Sequence, residues 1–332
     1  MLRIGYFGDG RWARLALEKI LVDSSFVVSY IVLRFKTPDE VLRRMAEEHD
    51  IPCFQVQNVN EEAFLAQIRE YAADVNVSMS FDQILQKEII NIAPYGFINC
   101  HAGALPFYRG RNILNWAIIN GEEEFGVTVH YVDEGIDTGD IILQKFASIG
   151  RKERYGDVLC KAQRLCADTL YDALLLLSEG RAERIPQKAI HPVGFYCSGR
   201  TFGDEYIDWN WTSDRIYNFV RGIADPAPGA RTFLKERECI IDLAEVLEEA
   251  PDYLDKPGCV VGKDGTSITV KTGDSTLRVL RILDAVTREE IPVRKLRIGM
   301  RFLSSIGVLG EDMKDKAVIV IGTGGHAKVL LD

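Results

Sequence analysis

The sequence predicts an α/β fold: a mainly parallel sheet flanked by helices, followed by a smaller, β-rich, barrel-like unit. Three observations carry this expectation. Early in the chain, short apolar runs alternate with helical stretches, the rhythm of βαβ units. After residue 125 the rhythm changes to two successive strands and one long helix. Beyond residue 206, short strands are separated by glycine turns, the pattern of a small barrel or open sheet.

The elements follow in order. Residues 2–8 (LRIGYFG) read as a buried strand ending on glycine. A helical stretch follows, with Trp12, Leu15, Ala16 and Ile20 on one face. Residues 26–34 form a second strand. Thr37-Pro38-Asp39-Glu40 reads as a capping box with proline at the first helical position, which predicts a helix over 38–49. Asp74 to Met79 and residues 96–100 are further buried runs. Residues 126–132 and 141–147 read as strands around an acidic, glycine-bearing loop, and a helix is expected over 153–180. The stretch 181–205 reads as a linker. A helix over 213–223 and strands at 239–243, 257–262, 267–271 and 276–283 complete the second unit. The expected division is therefore 1–200, 201–310, and a remainder 311–332 that enters a new strand and glycine turn.

Composition narrows the function. The chain has 332 residues, 47% hydrophobic and 27% charged, as in an ordinary globular protein of about two domains. No apolar run approaches the roughly 18 residues needed to span a bilayer. A net charge of −9 disfavours a broad nucleic-acid-binding surface. Seven widely spaced cysteines without a C-x-x-C argue against a disulfide framework or a zinc site, and for a reducing cytoplasm.

The densest group of polar functional residues lies in 97–140. Asn99 and His101 lie two apart at a strand end and point to the same side. The carboxyl ends of strands in open α/β sheets are where ligands bind. The loop DEGIDTGD at 133–140 adds carboxylates. An amide to hold an oxyanion, an imidazole to take a proton and a carboxylate to support the imidazolium suit acyl transfer to an amine. A buried histidine and asparagine at a strand end can equally be structural hydrogen-bonders. Gly8-Asp9-Gly10 follows the first strand as in a Rossmann-like fingerprint, with Ala13 at the third glycine. His130 alternates with apolar residues and reads as structural; Trp209 and Trp211 have the spacing of one strand face and could stack on a base or simply pack.

The stretch INCHAGALPFYRGRNILNWAIINGE (98–122) resembles the core of the folate-dependent formyltransferase family, as does GVTVHYVDEGIDTGDII (126–142). That family includes the methionyl-tRNA, glycinamide ribonucleotide and sugar N-formyltransferases. Residues 203–230 are similar to the second domain of its sugar-modifying members, and the likeness extends over about 1–305. The resemblance implies 10-formyltetrahydrofolate as co-substrate and no metal. It implies His101 as the acid/base, Asn99 as the oxyanion stabiliser and Asp137 as the residue that tunes and orients His101. It places folate contacts at Gln83, Ile84, Leu85, Arg111, Asp133, Glu134, Gly135 and Ile136, and acceptor contacts at Asp9, Gly10 and Arg11. Asp140 matches the pattern too, with a turn-stabilising role expected.

The expected acceptor is a nucleotide-linked amino sugar, a 4-amino-4,6-dideoxy sugar carried on UDP, made for cell-surface glycans such as lipopolysaccharide. The alternatives are a methionyl-tRNA formyltransferase and a non-catalytic nucleotide-sugar-binding module. Residues 200–310 hold 16 Lys and Arg against 18 Asp and Glu, a net of −2, which weighs against tRNA. Sugar formyltransferases of this kind are commonly dimers through the second domain, so a homodimer is expected. Gly322-Thr323-Gly324-Gly325-His326 resembles the start of the left-handed β-helix acyltransferases that act on nucleotide sugars, which implies a fused acyltransferase domain.

Overall fold

The computed structural model describes residues 1–304. The expected acyltransferase-like segment at 311–332 lies outside the described residues. The first unit runs β1 (Leu2–Gly8), α1 (Gly10–Leu21), β2 (Phe26–Leu33), α2 (Glu40–Glu48), β3 (Cys53–Gln55), α3 (Glu62–Arg69), β4 (Val75–Met79), α4 (Lys87–Ile90), β5 (Phe97–His101), β6 (Arg109–Gly110), α5 (Ile113–Ile119), β7 (Glu124–Tyr131), β8 (Ile141–Ser148), α6 (Tyr155–Ser178), α7 (Gln187–Ile190) and β9 (Tyr196–Cys197). Then come α8 (Ser213–Gly222), β10 (Ala230–Leu234), β11 (Arg237–Val246), β12 (Val260–Lys263), β13 (Ile268–Lys271), β14 (Thr276–Asp284) and β15 (Phe302–Leu303).

The first sheet has seven strands in the order β3-β2-β1-β4-β5-β7-β8. The strands from β3 to β5 run parallel; β7 and β8 are antiparallel additions. The central strands are apolar almost throughout because both faces are covered. Ile4 and Tyr6 of β1 pack with α1 and α6 on one face, while Phe7 joins Tyr30, Phe64 and Phe97 on the other. Gly5 has a packing reason: a Cβ there would sit 2.0 Å from Asn76 Oδ1, which accepts the buried Tyr30 hydroxyl at 2.6 Å.

Two local expectations are corrected. The helix expected over 38–49 starts at Glu40, and its cap is Asp39 rather than Thr37. The Asp39 carboxylate accepts from the Val41 and Leu42 amides and also pairs with Arg14, so long-range charge and local capping select the same residue. Trp209 and Trp211 lie in a turn, not on a strand. Trp209 is buried, donates through its indole N–H to Thr232 Oγ1 at 2.9 Å and stacks on Phe302, so it packs the second core.

That core lies between α8 and a six-stranded antiparallel sheet, β12-β13-β14-β11-β10-β15. Its two edges approach one another: the Val260 amide donates to Met300 O at 2.8 Å and the Phe302 amide to Gly258 O at 2.8 Å, which gives the barrel-like closure. Lys271 is fully buried here, its ammonium donating to the carbonyls of Thr272, Asp274 and Ser275 at 2.9, 2.9 and 3.1 Å. Lys271→Met is expected to cost about 3 kcal/mol, because the turn loses a charged donor while its carbonyls stay buried. Urea unfolding checks this; an unchanged midpoint would mean the turn re-forms without the ammonium.

Candidate active site

The strand order reverses beside β1, and the carboxyl ends of β4 and β5, with Trp12 of α1 and Arg34 after β2, open onto one cavity of about 380 Å³. Its lining includes Trp12, Arg34, Asp82, Asn99, His101, Arg111 and Asp137. Arg34 ties the carboxyl ends of β2 and β4 together, donating to Ser80 O while pairing with Asp9 at 3.1 Å.

His101 ends β5 and is buried. Its Nε2 lies 2.7 Å from Tyr108 O, and a carbonyl can only accept, so that nitrogen carries the proton in the neutral ring. Nδ1 is therefore the basic atom, and it faces Asp137 Oδ2 at 3.6 Å. Tyr108 aims its carbonyl from a left-handed conformation (φ +53°), with its hydroxyl held by Glu122 at 2.5 Å. Gly103 keeps this contact open, since a Cβ there would lie 2.5 Å from both His101 Nε2 and Tyr108 O. Gly103→Ala is expected to lower turnover about 100-fold by shifting the imidazole. Steady-state kinetics alongside circular dichroism check it, and full activity would show that the ring tolerates the methyl.

Asn99 opposes His130 across the β5–β7 ladder. The His130 Nδ1–H donates to Tyr131 O at 2.8 Å, so Nε2 accepts from the Asn99 amide at 3.3 Å. The second Asn99 N–H is left for a ligand. His130 Nε2 also lies 3.6 Å from Asp137 Oδ1, too long for a hydrogen bond and an ion pair only when His130 is protonated. His130, read as structural from the sequence, thus stands beside both partners of the site.

Asp137 sits in a left-handed turn (φ +54°), and its Oδ2 accepts from the Gly110 amide at 2.9 Å. Burial pushes its carboxyl up, but His130, His101 and the Gly110 amide outweigh burial and hold it at about 2. Burial pulls the His101 pKa below the usual histidine value, against the opposing pull of Asp137 and Tyr108 O. The site therefore rests as a neutral imidazole beside a carboxylate, a base whose conjugate acid has a counter-ion waiting.

The other expected site residues are placed as follows. Arg111 is exposed on the rim of the cavity. Gln83 turns inward, accepting from the Val59 amide at 2.9 Å and donating to Val56 O at 3.0 Å. Ile84 is exposed and Leu85 half-buried in the core on the second face of the sheet; none of these three lines the cavity. Asp133 accepts from the Gly135 amide and the Thr138 hydroxyl and so shapes the exposed turn Asp133, Glu134, Gly135 and Ile136. Asp9 is committed to Arg34, the Gly10 amide donates to Asp39 at 2.9 Å, and Arg11 is exposed; Trp12 rather than these three faces the cavity. Asp140 lies 3.9 Å from Arg184. Among the described residues no cluster of three or more His, Cys, Asp or Glu could hold a metal ion, and no helix is long and apolar enough to cross a membrane.

Comparison with known proteins bears on this geometry. Residues 23–174 match the formyl transferase family and residues 201–294 its C-terminal domain. The methionyl-tRNA formyltransferase of Pelotomaculum thermopropionicum is 36% identical over 290 residues, covering 85% of this chain and 90% of that protein. The chain belongs to the formyltransferase family. A second relative, the methionyl-tRNA formyltransferase of Halothermothrix orenii, is 30% identical over 310 residues, covering 90% of this chain and 97% of that protein. Among solved structures, WlaRD, a sugar 3N-formyl transferase determined with dTDP and 5-N-formyl-THF, matches with a TM-score of 0.63 at 19% identity, over 84% of this chain and 97% of its own. The N-formyltransferase from Helicobacter canadensis, in complex with folinic acid and dTDP-3-aminofucose, matches at 0.61 and 20%, over 84% and 99%. At these identities the two solved structures show a shared fold. The chain is thus a formyltransferase-family enzyme, with the α/β sheet and β-rich second unit that its sequence predicts.

Proposed function

We propose that this formyltransferase moves the formyl group of 10-formyltetrahydrofolate to the amine of a nucleotide-linked amino sugar. The observation that carries the chemistry is the convergence of Asn99, His101 and Asp137 on one cavity at the strand ends. That cavity falls in the size range of small-molecule sites. The free Asn99 N–H would hold the formyl oxygen as it gains charge. His101 Nδ1 would take the proton released as the amine bonds to the formyl carbon, and Asp137 would stabilise the imidazolium. The same proton would then pass to the folate nitrogen as the carbon–nitrogen bond to the donor breaks. Arg111 at the rim would meet the donor's carboxylates; the segments 83–85 and 133–136, outside the cavity lining, would contact the donor beyond it, and Asp9, Gly10 and Arg11 would meet the acceptor.

The sugar acceptor is supported by charge: the second unit has no basic excess with which to hold a tRNA backbone. Support also comes from the fold shared with two sugar N-formyltransferases. Within this reading the acceptor is a UDP-linked 4-amino-4,6-dideoxy sugar, and the chain works in the cytoplasm as a homodimer joined through its second unit, with units spanning 1–200 and 201–310. The second reading, formylation of methionyl-tRNA, is favoured by the names of the relatives at 36% and 30% identity. One assay separates them. Purified protein, 10-formyltetrahydrofolate and a panel of UDP- and dTDP-linked amino sugars should give formylated sugar by mass spectrometry. Formylation of Met-tRNA with none of the sugars would overturn the sugar acceptor; no transfer to either would overturn the reading as a whole.

A further inference from the structure

Asp137 depends on a residue far along the chain, in a stretch that reads as a linker. We propose that Gln187 is a positioning residue for the Asp137 carboxylate, so that the segment 187–197 is part of the active site.

Asp137 adopts a left-handed backbone, a conformation aspartate reaches at modest cost and one that its surroundings here can fix. Gln187, 4% exposed, is bonded to that turn. Its side-chain Nε2 donates to Asp137 O and to Gly139 O, each at 2.8 Å. Its Oε1 accepts from Arg109 Nε at 3.1 Å and from a second Arg109 guanidinium nitrogen at 2.6 Å. Both N–H groups and both lone pairs of the amide are used, so the orientation is determined and no capacity is left for another task.

Arg109 belongs to β6, the strand whose next residue, Gly110, donates to the Asp137 carboxylate. The main chain of the Asp137 turn and its carboxylate are therefore both tied to β6, one through Gln187 and one directly. The segment that carries Gln187 is anchored on either side. Ile185 exchanges two backbone hydrogen bonds with Ile141, and Tyr196–Cys197 pairs in parallel with Arg109–Gly110. Between them Gly194 passes so close that a Cβ would lie 2.3 Å from Pro106 O. A carboxylate held this way has one angle of approach to His101 Nδ1.

The inference rests on the proposed roles of Asp137 and His101, and its test is read in two ways. The first needs no substrate: the titration of His101 in the full chain, followed by ¹³C-histidine NMR. The groups facing His101 are Asp137, the His130 ring and Tyr108 O. Gln187→Leu removes every bond of the clamp. Gln187→Glu keeps an acceptor for Arg109 but has no N–H for the two carbonyls, and it serves if the leucine variant folds poorly. In both, release of Asp137 is expected to lower the His101 midpoint by about one unit, a tenfold weaker base. The second readout is kinetic, with 10-formyltetrahydrofolate and the amino sugar: kcat about 30-fold lower, with KM for the donor changed less than about twofold. An unchanged His101 midpoint in both variants overturns the proposal whether or not the protein proves to be a sugar formyltransferase. Unchanged midpoint and kcat in the Gln187 variants, with both altered in Asp137→Asn, would leave the formyl-transfer reading standing and remove Gln187 from it.

Discussion

His101→Asn is expected to abolish formyl transfer, lowering kcat about 1,000-fold while the protein keeps its fold. The size follows from what is lost: the basic atom at the end of β5, whose proton transfer is typically worth 10²- to 10⁴-fold. The fold survives because the ring's one hydrogen bond, to Tyr108 O, lies at a loop end rather than in a sheet ladder. An asparagine amide can donate in the same direction, so the structural loss is about 1 kcal/mol. Single-turnover kinetics with 10-formyltetrahydrofolate and amino sugar, alongside a thermal melt, would check both halves. Activity within tenfold of wild type would remove His101 from proton transfer and leave positioning by Asn99 as the main device.

The second large effect is expected for Asp137→Asn. The amide can still accept from the Gly110 amide, so the turn stays in place, but the charge facing His101 and His130 is gone. His101 then loses the partner that stabilises its charged form, and kcat is expected to fall about 100- to 1,000-fold with an altered pH profile. Stability should respond as well, and its sign can be worked out. The folded-state pKa of Asp137 is depressed to about 2, below the ordinary carboxylate value. Its contribution is therefore full above about pH 4 and is lost as pH falls from there through 2. The asparagine variant should lose that part of the acid dependence: less stable than wild type at neutral pH, with the difference shrinking below pH 4. Urea unfolding at pH 7 and pH 3 would test it, and an identical deficit at both would show that the carboxylate's charge contributes nothing to the fold.

Much of the molecule was legible in the residues. The apolar runs that became β1, β2, β4 and β5 are buried on both faces and are read without knowing their neighbours. β3 escaped notice because three residues, two half-buried and one exposed, carry no periodicity. β10 escaped because it follows directly on the turn Asp225-Pro226-Ala227-Pro228-Gly229, whose breakers masked the strand. Within the site, Asn99, His101 and Asp137 could be singled out from one motif-dense stretch. Trp12, His130 and Gln187 could not. Each looks ordinary in its own segment and matters only through a partner elsewhere in the sequence.

The sequence by itself determined the α/β rhythm and the β-rich second unit, because periodicity is a property of neighbouring residues; its resemblance to the formyltransferases pointed to Asn99, His101 and Asp137, which the fold brings to one cavity. Tertiary structure decided which nitrogen of His101 is basic, which groups bond the Asp137 turn, and that residues read as a linker pack against β6 and that turn. Those outcomes depend on hydrogen bonds that close only when β6, the Asp137 turn and Gln187 meet. A chain read one segment at a time contains the donors and acceptors of those bonds, but not the distances between them.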